Sequence, residues 1–251
     1  RGLGDVYKRQ MQQCDCPILF YDKMQVVGPS GINIERFDEK MKLEQNRRLV
    51  TYYSLLTQMR VNGGNDYINL VNSILSGKCN QQACLENYDF KVMSDFNRFN
   101  NLQQKLEDEF TLSRMIAGYA WEWKSKKDKS LYDMELDGVK KQWNYRLENW
   151  VLSEGADKQV GCIHTIQGFD LNYGFVIMGN EIGYDPESKE IIVRPENYYD
   201  QNGRKTASKE ELLEYIKHIY YVLMTRGIKG TYLYICDDNL RKYVSSIIGE
   251  I

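Results

Sequence analysis

"KEELLEYIKHIYYVLMTRGIKGTYLYICDD", residues 209–238, holds the plan of the fold in one stretch. A long helix runs to about Met224, a turn bracketed by Gly227 and Gly230 follows, and β-branched and aromatic residues then read as a strand. The same alternation continues outward. Downstream, "NLRKYVSSII" (239–248) reads as a helix with Asn239 near its cap. Upstream, "VGCIHTIQGFDLNYGFVIMG" (160–179) sets two apolar runs, each suited to a buried strand, around the polar segment His164–Asp170. That segment is too long and too varied for a two-residue hairpin turn.

Further upstream, "PILFY" (17–21), "RLVTYYSLLTQMR" (48–60), "FKVMSDF" (90–96) and "SRMIAGYAWEW" (113–123) read as strands. "DYINLVNSIL" (66–75), with Asn65 as its cap, "NNLQQKLEDEF" (100–110) and "KKQWNYRLENWVL" (140–152) read as helices, as does part of 34–48. "KEIIVRPENYYD" (189–200) reads as a small β insertion. Strands alternating with helices predict a parallel α/β sheet with helices on both faces. Ligands of such sheets sit at the carboxyl ends of the strands. That rule marks Asp22 and Gln25, Gln58 and Arg60, the His164–Asp170 loop, and the surroundings of Arg226.

The bulk composition narrows the choices. Across 251 residues, 42% are hydrophobic and 27% charged, an ordinary globular balance, and the net charge of −2 leaves any anion site to be local. No apolar run approaches the ~20 residues of a membrane span, and no signal peptide is evident. Six scattered cysteines suit a reduced, cytoplasmic setting better than a disulfide framework. Without a Cys-x-x-Cys pair, and with both histidines far from a cysteine pair, zinc is not expected. The first ten residues, "RGLGDVYKRQ", carry no periodicity and read as a non-native leader.

Arg226 closes an otherwise apolar helical face, where a guanidinium is costly without an anionic partner. A carboxylate within the domain is the ordinary partner; a phosphate also suits the planar, permanently charged fork. Arg60 is equally ambiguous, and His164 alone reads as a structural histidine. Lys124, Lys126, Lys127 and Lys129 form a solvated loop or a seat for a nucleic-acid backbone. Trp121 and Trp123 could stack bases, although their alternation puts both on one strand face, which favours core packing. No Gly-x-Ser-x-Gly elbow or triad supports a serine or cysteine nucleophile.

Four segments carry a resemblance, in order, to motifs of superfamily 1 helicases. "LFYDKMQVV" (19–27) resembles the third motif, a strand ending in Asp with a following Gln. "LLTQMRVNGG" (55–64) resembles the fourth, with Gln and Arg after a strand; the His164-x-x-Gln167-Gly168 element and its acid resemble the fifth; "YYVLMTRGIKGTYLYI" (220–235) resembles the sixth. "AGYAWEW" and "QWN" narrow the likeness to a bacterial family of uncharacterised helicase-like P-loop ATPases related to Schlafen-type helicase domains.

The resemblance implies a RecA-like second motor domain over 37–251, preceded at 11–36 by the end of a first one. It implies ATP with Mg2+ in a cleft between two such domains, with Arg226 and Arg60 sensing the γ-phosphate. Gln25, Asp22, Gln167, Gly168 and Asp170 would line that cleft, Asp170 toward a ribose or an arginine. His164, Thr165, Lys124, Lys126 and Lys127 would meet DNA or RNA. No G-x-x-x-x-G-K-[ST] element, whose amides and lysine cradle phosphates, occurs in the sequence. The expectation is therefore a C-terminal half, inactive in hydrolysis by itself and completed by an N-terminal ATPase domain. The alternative is a RecA-like module that binds nucleic acid or protein without hydrolysis.

Overall fold

A computed structural model describes residues 9, 12–29, 31, 34–45, 49–55 and 58–251. Five strands form one parallel sheet: β1 (Asp89–Val92), β2 (Ser113–Ala117), β5 (Val160–Cys162), β6 (Leu171–Met178) and β9 (Gly227–Ile235), in the order β1-β9-β6-β2-β5. Side chains alternate between its faces. Val176 and Met178 of β6, with Leu233 and Ile235 of β9, point into one core. Phe175, Ile177, Tyr232 and Tyr234 point into the other. With both faces buried, these strands are nearly continuously apolar, as a parallel sheet requires.

Helices α1 (Ile34–Gln45), α2 (Gly64–Leu75), α3 (Phe96–Phe110), α4 (Ile163–Ile166), α5 (Gln201–Thr206), α6 (Lys209–Met224) and α7 (Asp238–Ile248) complete the described elements, with short 3-10 turns between them. Apolar stripes of α2, α6 and α7 fill the first core. Phe96, Phe99 and Leu106 of α3 fill the second. Asp95 caps α3 by accepting from the Arg98 amide at 3.1 Å. Ser208 and Glu211 form a reciprocal capping box on α6. Asp237, not Asn239, caps α7, accepting from the Leu240 amide at 2.7 Å. The fold is the expected α/β one, a five-stranded parallel sheet flanked by helices as in RecA-like domains.

Two antiparallel hairpins hang from this frame. One pairs β3 (Met134–Leu136) with β4 (Val139–Lys141), and the other pairs β7 (Ile182–Asp185) with β8 (Glu190–Val193). The second is the expected β insertion, though Pro195–Asn197 beyond it is a 3-10 turn.

Several local expectations are corrected. Residues 17–21 and 49–55 form no strand, and Ile18, Phe20, Leu49, Tyr53 and Leu55 are exposed. Each outer edge of the sheet is met by other backbone at one residue. The β1 edge bridges Val92 to Glu250, and the β5 edge bridges Val160 to Trp143. β2 stops at Ala117, so Trp121 and Trp123 lie on a loop. Residues 140–152 are not a helix either. Trp143 and Trp150 are both fully buried but enter opposite cores, Trp143 on the α3 side and Trp150 on the other. One helical stripe could not serve both.

Candidate functional site

The connection from β5 to β6 decides where the polar groups go. Parallel strands need a crossover that travels back along the sheet. Cys162 at the carboxyl end of β5 lies level with Ala117, which on its other side pairs with Ile177. Leu171, where β6 begins, lies six residues before Ile177, or ~20 Å of strand. The single helical turn α4 makes the crossing, and Gly168, at φ +92°, supplies the backbone reversal after Gln167. His164 therefore stands at the carboxyl edge and Asp170 at the amino edge. The expectation of one loop at the strands' carboxyl ends is corrected. Asp170 and Arg226 both precede strands.

At the amino edge the structure brings Asp22, Gln25, Arg60, Asp170 and Arg226 together. Arg60 Nε is 2.7 Å from Asp170 Oδ1. Its segment is pinned by the Arg60 amide donating to Gln58 Oε1 (2.6 Å), the Gln58 amide to Asn65 Oδ1 (2.9 Å) and the Asn62 amide to the Ile228 carbonyl (2.9 Å). Asn65 thus ties the arginine segment to α2 rather than capping the helix. Asp22 caps a 3-10 turn at Lys23–Gln25, accepting from the Met24 amide and from Gln25 Nε2 at 3.0 Å. That turn docks on α6, where His218 Nδ1 lies 2.9 Å from the Val26 carbonyl.

Arg226 is held differently. It is 2% exposed, its Nε donates to the Val222 carbonyl at 3.1 Å, and Nη1 reaches the Phe169 carbonyl only at 3.5 Å. Among the described residues no carboxylate lies within ion-pair distance of it. Of five N–H donors, two meet acceptors among the described residues. Burial, then the neighbouring Arg60, push its pKa down to about 10, while Asp170 and Asp22 act in the opposite sense. The guanidinium stays charged at neutral pH. Tyr221, one helical turn from His218, faces the same charges; burial and then Asp22 raise its pKa, and the two arginines pull it back.

The frame around Arg226 is rigid. Tyr67 and Thr231 hydroxyls donate to the Met224 carbonyl at 2.7 and 3.0 Å, and the Tyr88 hydroxyl donates to the Gly227 carbonyl at 2.9 Å. A Cβ on Gly227 would lie 2.1 Å from the Gly230 carbonyl oxygen. The two glycines do not bracket a turn, as expected from sequence, but lie inside β9 at its register shift against β6, where the backbone approaches itself closely. The sequence reading missed His218 and Tyr221, although 218, 221 and 225 at i, i+3 and i+7 share one helix face.

The remaining sequence-predicted residues lie elsewhere. His164 is exposed beside Tyr119, with ring centroids 5.9 Å apart. Thr165 is buried and its hydroxyl donates back to the Cys162 carbonyl at 2.8 Å. Lys124, Lys126 and Lys127 are exposed on the loop after β2, with Lys126 Nζ 5.5 Å from the Trp123 ring centroid. Gln167 and Gly168 are exposed on the crossover, apart from the arginines' hydrogen bonds. No disulfide is assigned to any of the six cysteines. Among the described residues no three His, Cys, Asp or Glu side chains are grouped to hold a metal, and no helix is long and apolar enough to cross a membrane.

Comparison with known proteins agrees with this frame. The family model of the Schlafen group 3 DNA/RNA helicase domain matches residues 4–237. An uncharacterized protein of Saccharomyces cerevisiae (strain ATCC 204508 / S288c), YPL245W, is 28% identical over 268 aligned residues, which cover 94% of this chain and 58% of that protein. The chain thus spans well under two thirds of that relative's length. No solved structure matches significantly. The matched residues run through the whole parallel sheet and both edges described above, and the chain belongs to the Schlafen group 3 DNA/RNA helicase-domain family.

Proposed function

We propose that this chain is the second motor half of a nucleic-acid-dependent ATPase, supplying Arg226 and Arg60 to the γ-phosphate of ATP across a cleft. The observation that carries the reading is Arg226: a buried, charged guanidinium that, among the described residues, is held by two carbonyls and has no carboxylate partner. Its fit to an anion is physical. A planar fork fixed by its backbone costs no reorganisation when charge spreads over a transferring phosphoryl group. Arg60 is kept at the same edge by Asp170, an acid that a second anion would displace.

Asp22 and Gln25, docked through His218, would report the state of this edge to the rest of the motor. Substrate ATP and its Mg2+ would be held mainly by a P-loop domain, since the sequence has no P-loop element and the described residues offer no metal-ligand group. DNA or RNA is the partner that the family's helicase character supports.

The test is turnover in the full-length protein. Arg226→Ala is expected to lower nucleic-acid-stimulated ATP hydrolysis by about 10^3-fold, the scale on which arginines act in phosphoryl transfer, while ATP affinity moves only a few-fold. Wild-type turnover in that variant would overturn the assignment. A full-length protein with no hydrolysis at all would favour a non-hydrolytic binding module.

A further inference from the structure

The carboxyl edge carries a surface that the arginine site does not use. After β2 the chain leaves the sheet and lays Tyr119, Trp121 and Trp123 around the fully buried Trp143, with ring centroids 6.1, 6.4 and 6.2 Å from it. His164, two residues past β5, adds a fifth ring against Tyr119. Trp143 serves as the packed base; Tyr119, Trp121 and Trp123 are only half-buried, and His164 is exposed. At the hub the buried Trp143 indole N–H finds no acceptor among the described residues.

The rim of this surface is basic. Lys124, Lys126, Lys127 and Lys129 are exposed within nine residues that also hold Glu122 and Asp128, a local excess of two positive charges (four Lys less two acids) on a chain whose net charge is −2. Among the described residues none of the four lysines forms an ion pair. Lys126 stands over Trp123 and Lys129 over Tyr145, each 5.5 Å from the ring centroid. Half-exposed rings with unpaired cations beside them suit a ligand that presents flat faces and anionic links in alternation. Bases and phosphates of a single strand do so; the stacked interior of a duplex hides the faces.

We propose that Tyr119, Trp121, Trp123 and His164 form a stacking platform for unpaired bases, with Lys124, Lys126 and Lys127 meeting the strand's backbone. The proposal rests on the reading of the chain as a nucleic-acid-dependent motor half, and it places the strand at the sheet's carboxyl edge, opposite the arginines.

The experiment titrates the purified chain with 20-nucleotide oligo(dT) and oligo(U), a blunt duplex and inorganic polyphosphate, following tryptophan fluorescence at two salt concentrations. Single strands should quench the fluorescence, and polyphosphate should not. Trp123→Leu should weaken single-strand binding by about 5- to 100-fold and remove part of the quench. His164→Ala, at an exposed site, should weaken it by at least about 5-fold at an unchanged unfolding midpoint. Lys124, Lys126 and Lys127 changed together to Ala should lower the salt slope by ~2.

Tight single-strand binding with unchanged affinity and quench in both Trp123→Leu and His164→Ala would overturn the platform and leave the motor reading standing. Equal quenching by polyphosphate, a preference for duplex, or no binding would also overturn it. Loss of the arginine assignment alone would show as normal turnover in Arg226→Ala beside intact single-strand quenching.

Discussion

Glu181 is a carboxyl group sealed in the fold. It is fully buried just past β6; Oε1 accepts from the Tyr220 hydroxyl, and Oε2 has no partner among the described residues. Gly118 and Gly179 make room for it, since a Cβ on either would come within 2.6 Å of its oxygens. Tyr220 of α6 faces it, with Tyr198 beyond β8 and Cys236 at the end of β9 nearby. Burial raises its pKa from 4.5 to about 7, the Tyr220 hydrogen bond opposing. A raised folded-state pKa means that the native chain keeps a proton that the unfolded chain releases. The stabilisation is complete below about pH 4.5 and is lost as pH rises through about 7, at ~1.4 kcal/mol per pH unit. The total is about 3 kcal/mol. Urea unfolding from pH 5 to 8 should show this decline in the wild type and a much flatter profile in Glu181→Gln. An unchanged slope in the variant would assign the pH dependence to other groups.

At the scale of elements, the β3–β4 hairpin reaches across to α3. Asp137, at its tip, accepts from the Phe96 amide at 2.8 Å and from the Tyr234 hydroxyl at 3.2 Å, so a distant loop satisfies an orphan donor of the helix N-terminus. Asp137→Ala should cost about 1–2 kcal/mol in chemical denaturation, the range for losing a helix cap; a loss below 0.3 kcal/mol would show the contact to be idle in solution. No local pattern announces this contact, because Asp137 and Phe96 are joined only by tertiary structure. Where the pattern is local it is readable. Helix α6 and the strand after it stand where periodicity put them, although the turn is Thr225–Arg226 and both glycines lie inside β9 rather than bracketing it. Of the arginine cluster, Arg226 past the end of α6 and Asp170 before β6 lie beside real element ends. Asp22, Gln25 and Arg60, by contrast, are marked by strands expected at 17–21 and 48–60 that the described residues do not form. The cluster's edge was not legible, because the direction of the β5–β6 crossover depends on strand order. Trp143 and Trp150 misled for a related reason. Their spacing imitates a helix, while Trp150 packs on Gly161, where a Cβ would meet its ring at 2.3 Å, and Trp143 packs on the opposite face.

The whole molecule leaves two apolar segments, 17–21 and 49–59, outside the sheet among the described residues. Ile18, Phe20, Leu49, Tyr53, Leu55 and Met59 are between 77% and 94% exposed, on segments whose composition suits strands. None of them belongs to either core. Two consequences follow from burial arithmetic. Side chains that bury no area contribute almost nothing to folding, so Leu49→Ser, Tyr53→Ser and Leu55→Ser together should move the thermal midpoint by no more than about 2 °C. Large apolar side chains left in water favour association, so the same triple variant should lower self-association of the isolated chain. Light scattering across a concentration series reads the second effect and thermal unfolding the first. A large drop in midpoint would mean that the 49–59 segment is packed in solution. An unchanged midpoint with unchanged association would mean that the contacts between copies lie elsewhere on the surface.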